Sequence, residues 1–382
     1  MNKVVLGIER IDEFKSVFEG KRIGLITNPT GIASDFTSSI DVLRNKTNLV
    51  ALFSPEHGVR ADIQAGMHLP TYVDEETGIT VYSLYGKHKK PSKEMMDELD
   101  IMSIDVQDNG SRYYTFIYTM AYAMYTCAEY GKEFVVFDRP NPIGGVKVEG
   151  NKLDTEKYRS FVGYFEMPQR HGMTIGELAR LFNEEYKIGC KLTVIPMKGW
   201  ERSMSFEDTN LPWVVPTPNI PTINTCYAYN ATCIFEGTNF AEGRGTTTPF
   251  ELIGAPWVKS ETLARELNAY GLEGVHFRPQ YFTPTFSKYK DELCGGVFVH
   301  ITDRDKFDTI KTSWTLLHHI RTTYSEHFKI NKPYVEGRPT LFHFEAGSDD
   351  VIVPNQTLEE QLKHLEENNK EFKEIRKPYL LY

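Results

Sequence analysis

The sequence is short of several things, and each shortage removes a class of function. No apolar run in the 382 residues approaches the ~20 residues that a membrane-spanning helix needs. The N-terminal MNKVVLGIER has a brief apolar stretch followed by charge, without the h-region and small-residue cleavage site of a secretory signal. A cytoplasmic location is expected for the sequence as written, or an extracytoplasmic one if a leader is missing. Cysteine is scarce. Cys127, Cys190, Cys226, Cys233 and Cys294 show no CxxC spacing, and an odd count of five argues against a full disulfide framework. Buried free thiols are the expectation. Positive charge is in deficit, with 43 Lys and Arg against 52 Asp and Glu, so a nucleic-acid partner is disfavoured. Motifs are missing too. No GxGxxG follows the first strand and no GK[ST] follows any Gly-rich loop, which disfavours nucleotide cofactors. No GxSxG elbow offers a nucleophilic serine. His57, His68, His88 and His171 are scattered, with no HExxH or HxH, so spacing supports no metal site. Neither a cofactor nor a metal is expected.

What is present is a rhythm. The chain is too long for one ordinary core, and about two domains are expected. Apolar strands alternate with helices through the first 140 residues, and this predicts an α/β fold with a parallel sheet covered on both faces. Arg22–Thr27 ends at Asn28, Leu49–Phe53 at Pro55-Glu56-His57, Ile101–Val106 at Asp108-Asn109, and Phe134–Phe137 at Asp138-Arg139. The carboxyl ends of parallel strands share one rim, where ligands bind. Further strands are predicted at Ile79–Leu84, Leu192–Met197, Tyr227–Phe235 and Gly296–Ile301. Helices are predicted from the Ser34-Asp35 cap to Arg44, then at Pro91–Leu99, Phe116–Tyr130, Ile175–Tyr186, Glu261–Asn268, Lys306–Tyr324 and Leu358–Arg376. Between residues 212 and 221 stand Pro212, Pro216, Pro218 and Pro221, which forbid regular structure and mark a stiff crossing or a cleft wall. The division expected is residues 1–155, possibly continuing to about 210, and residues 211–382.

The residues at the strand ends carry the chemistry, each with a plainer alternative. Glu56, on a stiff turn between Pro55 and Gly58, can protonate a leaving oxygen, or can cap a helix or pair with an arginine. His57 can act as base, substrate donor or structural histidine. Asp108, Asn109, Arg112 and Tyr113 form a polar cluster. Arg112 can fork onto a substrate carboxylate or onto Asp108 itself. Asp138-Arg139 pairs opposite charges at a fourth strand end. Glu236 and Glu242 lie six apart on a loop with Gly237, Gly243 and Gly245, which lets backbone approach a ligand, or Arg244 ties these acids into a structural turn.

These residues carry a resemblance. The chain resembles the exo-β-N-acetylmuramidases of the NamZ type, long grouped as a domain of unknown function (DUF1343-like). The motifs are Gly24-Leu25-Ile26-Thr27-Asn28-Pro29-Thr30-Gly31, Phe53-Ser54-Pro55-Glu56-His57-Gly58 and Asp105-Val106-Gln107-Asp108-Asn109-Gly110-Ser111-Arg112-Tyr113-Tyr114-Thr115. Asp138-Arg139-Pro140-Asn141-Pro142, Glu236-Gly237-Thr238-Asn239 and Glu242-Gly243-Arg244-Gly245-Thr246-Thr247 complete the set. Each is weak alone, and together they are specific. The resemblance implies a Rossmann-like N-terminal domain, a smaller C-terminal α/β domain and a site in the cleft between them. It implies a glycoside hydrolase that releases N-acetylmuramic acid from non-reducing ends of peptidoglycan fragments, with the catalytic glutamate at Glu56. Members are often exported or lipid-anchored. On this reading Asp108, Glu236 or Glu242 supplies the second carboxylate, and Arg112, Arg139 or Arg244 holds the lactyl carboxylate. Asn28, His57, Asn109, Tyr113, Asp138 and Asn239 complete the substrate-binding set, for a small saccharide of the MurNAc-GlcNAc type. The rivals are a non-catalytic muropeptide or sugar sensor and a metal-dependent hydrolase of a small acidic substrate.

Overall fold

The computed structural model of the protein describes residues 3–56, 58–60, 70–85, 89–352 and 357–382. Seven strands build the main sheet: β1 (Arg22–Thr27), β2 (Asn48–Ser54), β3 (Tyr72–Val73), β4 (Thr80–Ser83), β5 (Ile101–Asp105), β6 (Glu133–Phe137) and β7 (Lys191–Ile195). Helices α1 (Lys15–Phe18), α2 (Ser39–Lys46), α3 (Lys93–Asp97), α4 (Phe116–Glu129), α5 (Thr155–Tyr158) and α6 (Ile175–Glu184) lie among them. Strand order is β3-β4-β2-β1-β5-β6-β7, parallel except for the short antiparallel β3. The chain winds outward from β1 through β2 and β4, then returns to place β5 on the other side of β1. That reversal puts a crevice at the carboxyl ends of β1 and β5, where Thr27 pairs with Asp105.

Alternation along the strands explains why both faces are covered. Ile23 and Leu25 of β1, with Val135 and Phe137 of β6, pack with Ile40 and Leu43 of α2. Ile26, Phe134 and Val136 point the other way, into the core that holds α4 and α6. Helix α6 starts as its sequence requires. The Thr174 side chain accepts from the Glu177 backbone N–H and the Glu177 carboxylate accepts from that of Thr174, a reciprocal capping box.

The C-terminal part contains α7 (Ile223–Thr232), β8 (Leu252–Ala255), α8 (Ser260–Asn268), β9 (Val275–Phe282), β10 (Cys294–Ile301), α9 (Thr309–Thr323), α10 (Leu341–Ala346) and α11 (Leu358–Arg376). Its sheet is antiparallel, in the order β8-β10-β9.

Several expectations need correction. Tyr227–Phe235 is not a strand. It is the end of α7 followed by a 3-10 turn at Cys233–Gly237. Every residue from Thr225 to Thr232 is buried, so the helix shows no polar face and its period is invisible in sequence. Strand β9 escaped notice because Pro279 lies within it, and an edge strand tolerates that residue. Strand β8 is too short to stand out. The cap of α2 is Ser38, which accepts from the Asp41 backbone N–H at 3.0 Å, rather than Ser34-Asp35. Among the described residues no helix is long and apolar enough to cross a membrane, and all five cysteines are buried and free.

Candidate active site

Glu56 emerges two residues beyond β2, where Pro55 stiffens the turn. Its carboxylate accepts from the Thr115 hydroxyl at 3.3 Å, and the Tyr85 hydroxyl reaches it from the end of β4. Burial and then the Glu56 charge push the Tyr85 phenol upward, which keeps it a neutral donor. Thr115 opens α4 directly after the polar cluster of the β5 loop. The parallel register therefore delivers Glu56, Tyr85 and Thr115 to one place.

That place is a cavity of about 260 Å³. Tyr113, Tyr114 and Phe116 line one side, and Phe161 and Val162 add to it. The proline-rich stretch supplies a wall through Thr217, Asn219 and Ile220. From the C-terminal part come Tyr229, Glu236, Arg244, Phe250 and Leu341. The cavity thus brings together Glu56, Tyr113, Glu236 and Arg244 among the expected site residues.

Glu236 sits on the 3-10 turn after α7. Arg244 donates to it from Nε at 2.7 Å, and its guanidinium lies 5.0 Å from the Phe250 ring centroid. Burial alone would pull Arg244 down, but Glu236 and then Glu242 overcome it and hold the guanidinium firmly charged. Glu242 is 2% exposed and belongs to the support. Lys288 donates to it at 2.7 Å and also to the carbonyls of Phe235 and Phe240. Behind Glu236 lies Glu345, which the sequence reading missed. Burial pushes its carboxyl well above the ordinary range, and the neighbouring Glu236 adds to this.

Cys233, Glu236 and Glu345 offer ligand atoms within 4.8 Å of one another, the one such group found among the described residues. Burial raises the Cys233 thiol as well as Glu345, and Arg244 is paired with Glu236.

Other expected residues sit outside the cavity lining. Arg112 is fully buried and donates to the backbone carbonyls of Asn151 and Met167 at 2.9 Å and of Glu345 at 2.7 Å. Among the described residues it pairs with no carboxylate, Asp108 included, and its guanidinium binds loops together. Arg139 is paired with Asp105 and donates to the Ile32 carbonyl. Asp138 accepts from the backbone N–H groups of Arg139 and Gly176 and from the hydroxyls of Thr174 and Tyr382. It is the anchor of α6 and of the C-terminal tyrosine. Asn239 ties its loop to the backbone of His327 and Lys329.

Asn28, Asp108 and Asn109 are buried at the switch point. Asn28 Oδ1 accepts from Thr30, and Asp108 Oδ2 accepts from Gly110 at 2.8 Å with His171 Nε2 at 3.5 Å. Asn28 Nδ2, Asp108 Oδ1 and Asn109 Nδ2 have no partner among the described residues. They lie outside the cavity lining, with Asp108 close enough to Tyr114 to help burial raise its phenol. His57, like His68 and His88, lies outside the described residues.

The missed residues are mostly aromatic. With 21 Tyr and 23 Phe, nothing distinguishes Tyr229 or Phe250 from core residues by sequence. Tyr85 had a usable signal, since it stands at a parallel strand end beside Glu56.

The chain is 48% identical, over 393 residues, to the peptidoglycan beta-N-acetylmuramidase NamZ of Bacillus subtilis (strain 168), covering all of this chain and 92% of that protein. Two crystal structures of DUF1343 family proteins from Bacteroides fragilis NCTC 9343 superpose over its full length and 99% of theirs. Their TM-scores are 0.91 and 0.78, at 38% and 32% identity. The description of the N-terminal part of the exo-beta-N-acetylmuramidase NamZ matches residues 23–224 and that of its C-terminal part matches residues 227–382, so the chain belongs to the NamZ family.

Proposed function

We propose that this protein is an exo-β-N-acetylmuramidase, a glycoside hydrolase that frees N-acetylmuramic acid from the non-reducing ends of peptidoglycan fragments. The observation that carries the reading is one small aromatic cavity with Glu56 from the sheet and Glu236 from the C-terminal part in its lining. Its volume of about 260 Å³ lies just below the range of small-ligand sites, which begins at about 300 Å³, and suits one sugar ring better than a long chain. That size favours removal of a terminal residue.

Glycosidases place two carboxyl groups about the scissile bond. Glu56, flanked by the neutral donors Tyr85 and Thr115, is the general acid that gives a proton to the departing oxygen. Glu236, paired with Arg244, is the second carboxyl group, which steadies the oxocarbenium-like transition state. It then either forms the glycosyl intermediate or activates water. The C–O bond breaks, the aglycone oxygen gains the proton, and water supplies the hydroxyl of the freed sugar. Of the three candidate acids for this second role, Glu236 lines the cavity and neither Glu242 nor Asp108 does, which favours Glu236.

The test uses purified protein with a chromogenic β-N-acetylmuramide and the matching N-acetylglucosaminide. Release from the muramide is expected, and release from the glucosaminide alone, or from neither, would reject the reading. Sugar binding without product marks a sensor. Activity lost on chelation and regained with zinc or manganese marks a metal-dependent hydrolase.

A further inference from the structure

The proposed substrate differs from ordinary N-acetylglucosamine by one group, a lactyl ether whose carboxylate is ionised at neutral pH. A site that reads this group needs a cation not already held by a protein carboxylate. Arg112 is spent on backbone carbonyls, Arg139 on Asp105, and Arg244 on Glu236 and Glu242.

Lys89 is different. Its ammonium lies 4.0 Å from the centroid of the Phe161 ring, and Phe161 lines the cavity that also contains Glu56. The ring is itself held by α4. Tyr122 stacks on it at 5.7 Å and Tyr118 packs against it at 6.4 Å. Among the described residues no carboxylate forms an ion pair with Lys89, and the acid whose charge acts on it is Glu56. Burial holds the ammonium below its ordinary range against the pull of Glu56. A partly desolvated cation seated on an aromatic face is short of the anionic partner that would repay its burial.

We propose that Lys89, seated on Phe161, binds the lactyl carboxylate of N-acetylmuramic acid and thereby selects this sugar over N-acetylglucosamine. The proposal rests on the glycosidase reading.

The experiment measures kcat and KM on a 4-nitrophenyl β-N-acetylmuramide and on its lactyl methyl ester, with wild type, Lys89→Met and Lys89→Arg. Lys89→Met is expected to raise KM for the free acid by roughly 10- to 100-fold, the loss of one charge-assisted hydrogen bond, and to leave the ester within about twofold. Lys89→Arg should recover much of the affinity. An unchanged KM for the free acid overturns the proposal. So does an equal loss on acid and ester, because a structural role would not distinguish them. Calorimetric titration with free N-acetylmuramic acid separates this question from turnover. Binding by wild type that disappears in Lys89→Met supports Lys89 even where no hydrolysis occurs, and absent hydrolysis then rejects the glycosidase reading alone. Equal binding by both proteins, or by neither, rejects Lys89.

Discussion

Glu56 and Asp138 are both carboxylates at strand ends, and their surroundings assign them different work. Glu56 faces a cavity with two hydroxyl donors beside it. Glu56→Gln keeps size and polarity but has no proton to give, so turnover on natural fragments should fall by roughly 10²–10⁴-fold with the melting temperature nearly unchanged. The loss should shrink on 4-nitrophenyl substrates, whose leaving group needs little protonation. Equal losses on both substrates would move Glu56 out of the acid's role. Asp138 lies outside the cavity lining. Burial pushes its carboxyl up to about 7, against the pull of its hydrogen-bond donors. An unfolded aspartate titrates near 3.9, so between about pH 4 and 7 the folded protein keeps a proton that the unfolded chain has released. The stability contributed by this group is full below about pH 4 and is lost as pH rises through 7. Asp138→Asn should therefore lose less stability than wild type between pH 5 and pH 8 in urea titrations. A steeper loss in the variant would contradict this assignment.

Among the elements, the short ones place the chemistry. The turn at Cys233–Gly237 presents Glu236, and α10 packs directly on it. A Cβ on Gly237 would meet the Phe342 backbone nitrogen at 2.3 Å and its Cα at 2.4 Å. Gly237→Ala must push α10 away, and with it Leu341 of the cavity and Glu345 behind Glu236. A stability loss of about 1–3 kcal/mol is expected from such overpacking, accompanied by reduced kcat. Unchanged stability and activity would show that α10 yields freely. Sequence could not announce this contact, because Gly237 reads equally well as a ligand-facing glycine, and α10 has too few turns for a periodic signal. By contrast the boundaries of α4 and α6 were legible. Thr174 and Glu177 form a local cap, and Gly131 at φ 65° follows α4 where only glycine is comfortable.

Across the whole molecule, one apolar core runs from Ile26 and Phe53 of the main sheet to Phe235, Trp314 and Phe372 of the C-terminal part. Arg112 reinforces it by joining the β5 loop to the carbonyls of Glu345 and Ala346. The two parts are expected to unfold together, as a single calorimetric transition, and two resolved transitions would show that the shared core does not couple them. The cavity draws its lining from both parts, so a site with Glu56 and Glu236 exists only while they are joined. The sequence by itself determined the parallel sheet, its helices and the rim that carries Glu56, because alternation, caps and strand-end polarity are local properties. Only the tertiary structure decided which polar residues reach the cavity. Arg112, Asp138 and Arg139 look as reactive in sequence as Glu56, but burial supplies them with backbone and side-chain partners that no local pattern encodes. Glu236 and Glu56, 180 residues apart, line one cavity only when the chain closes on itself.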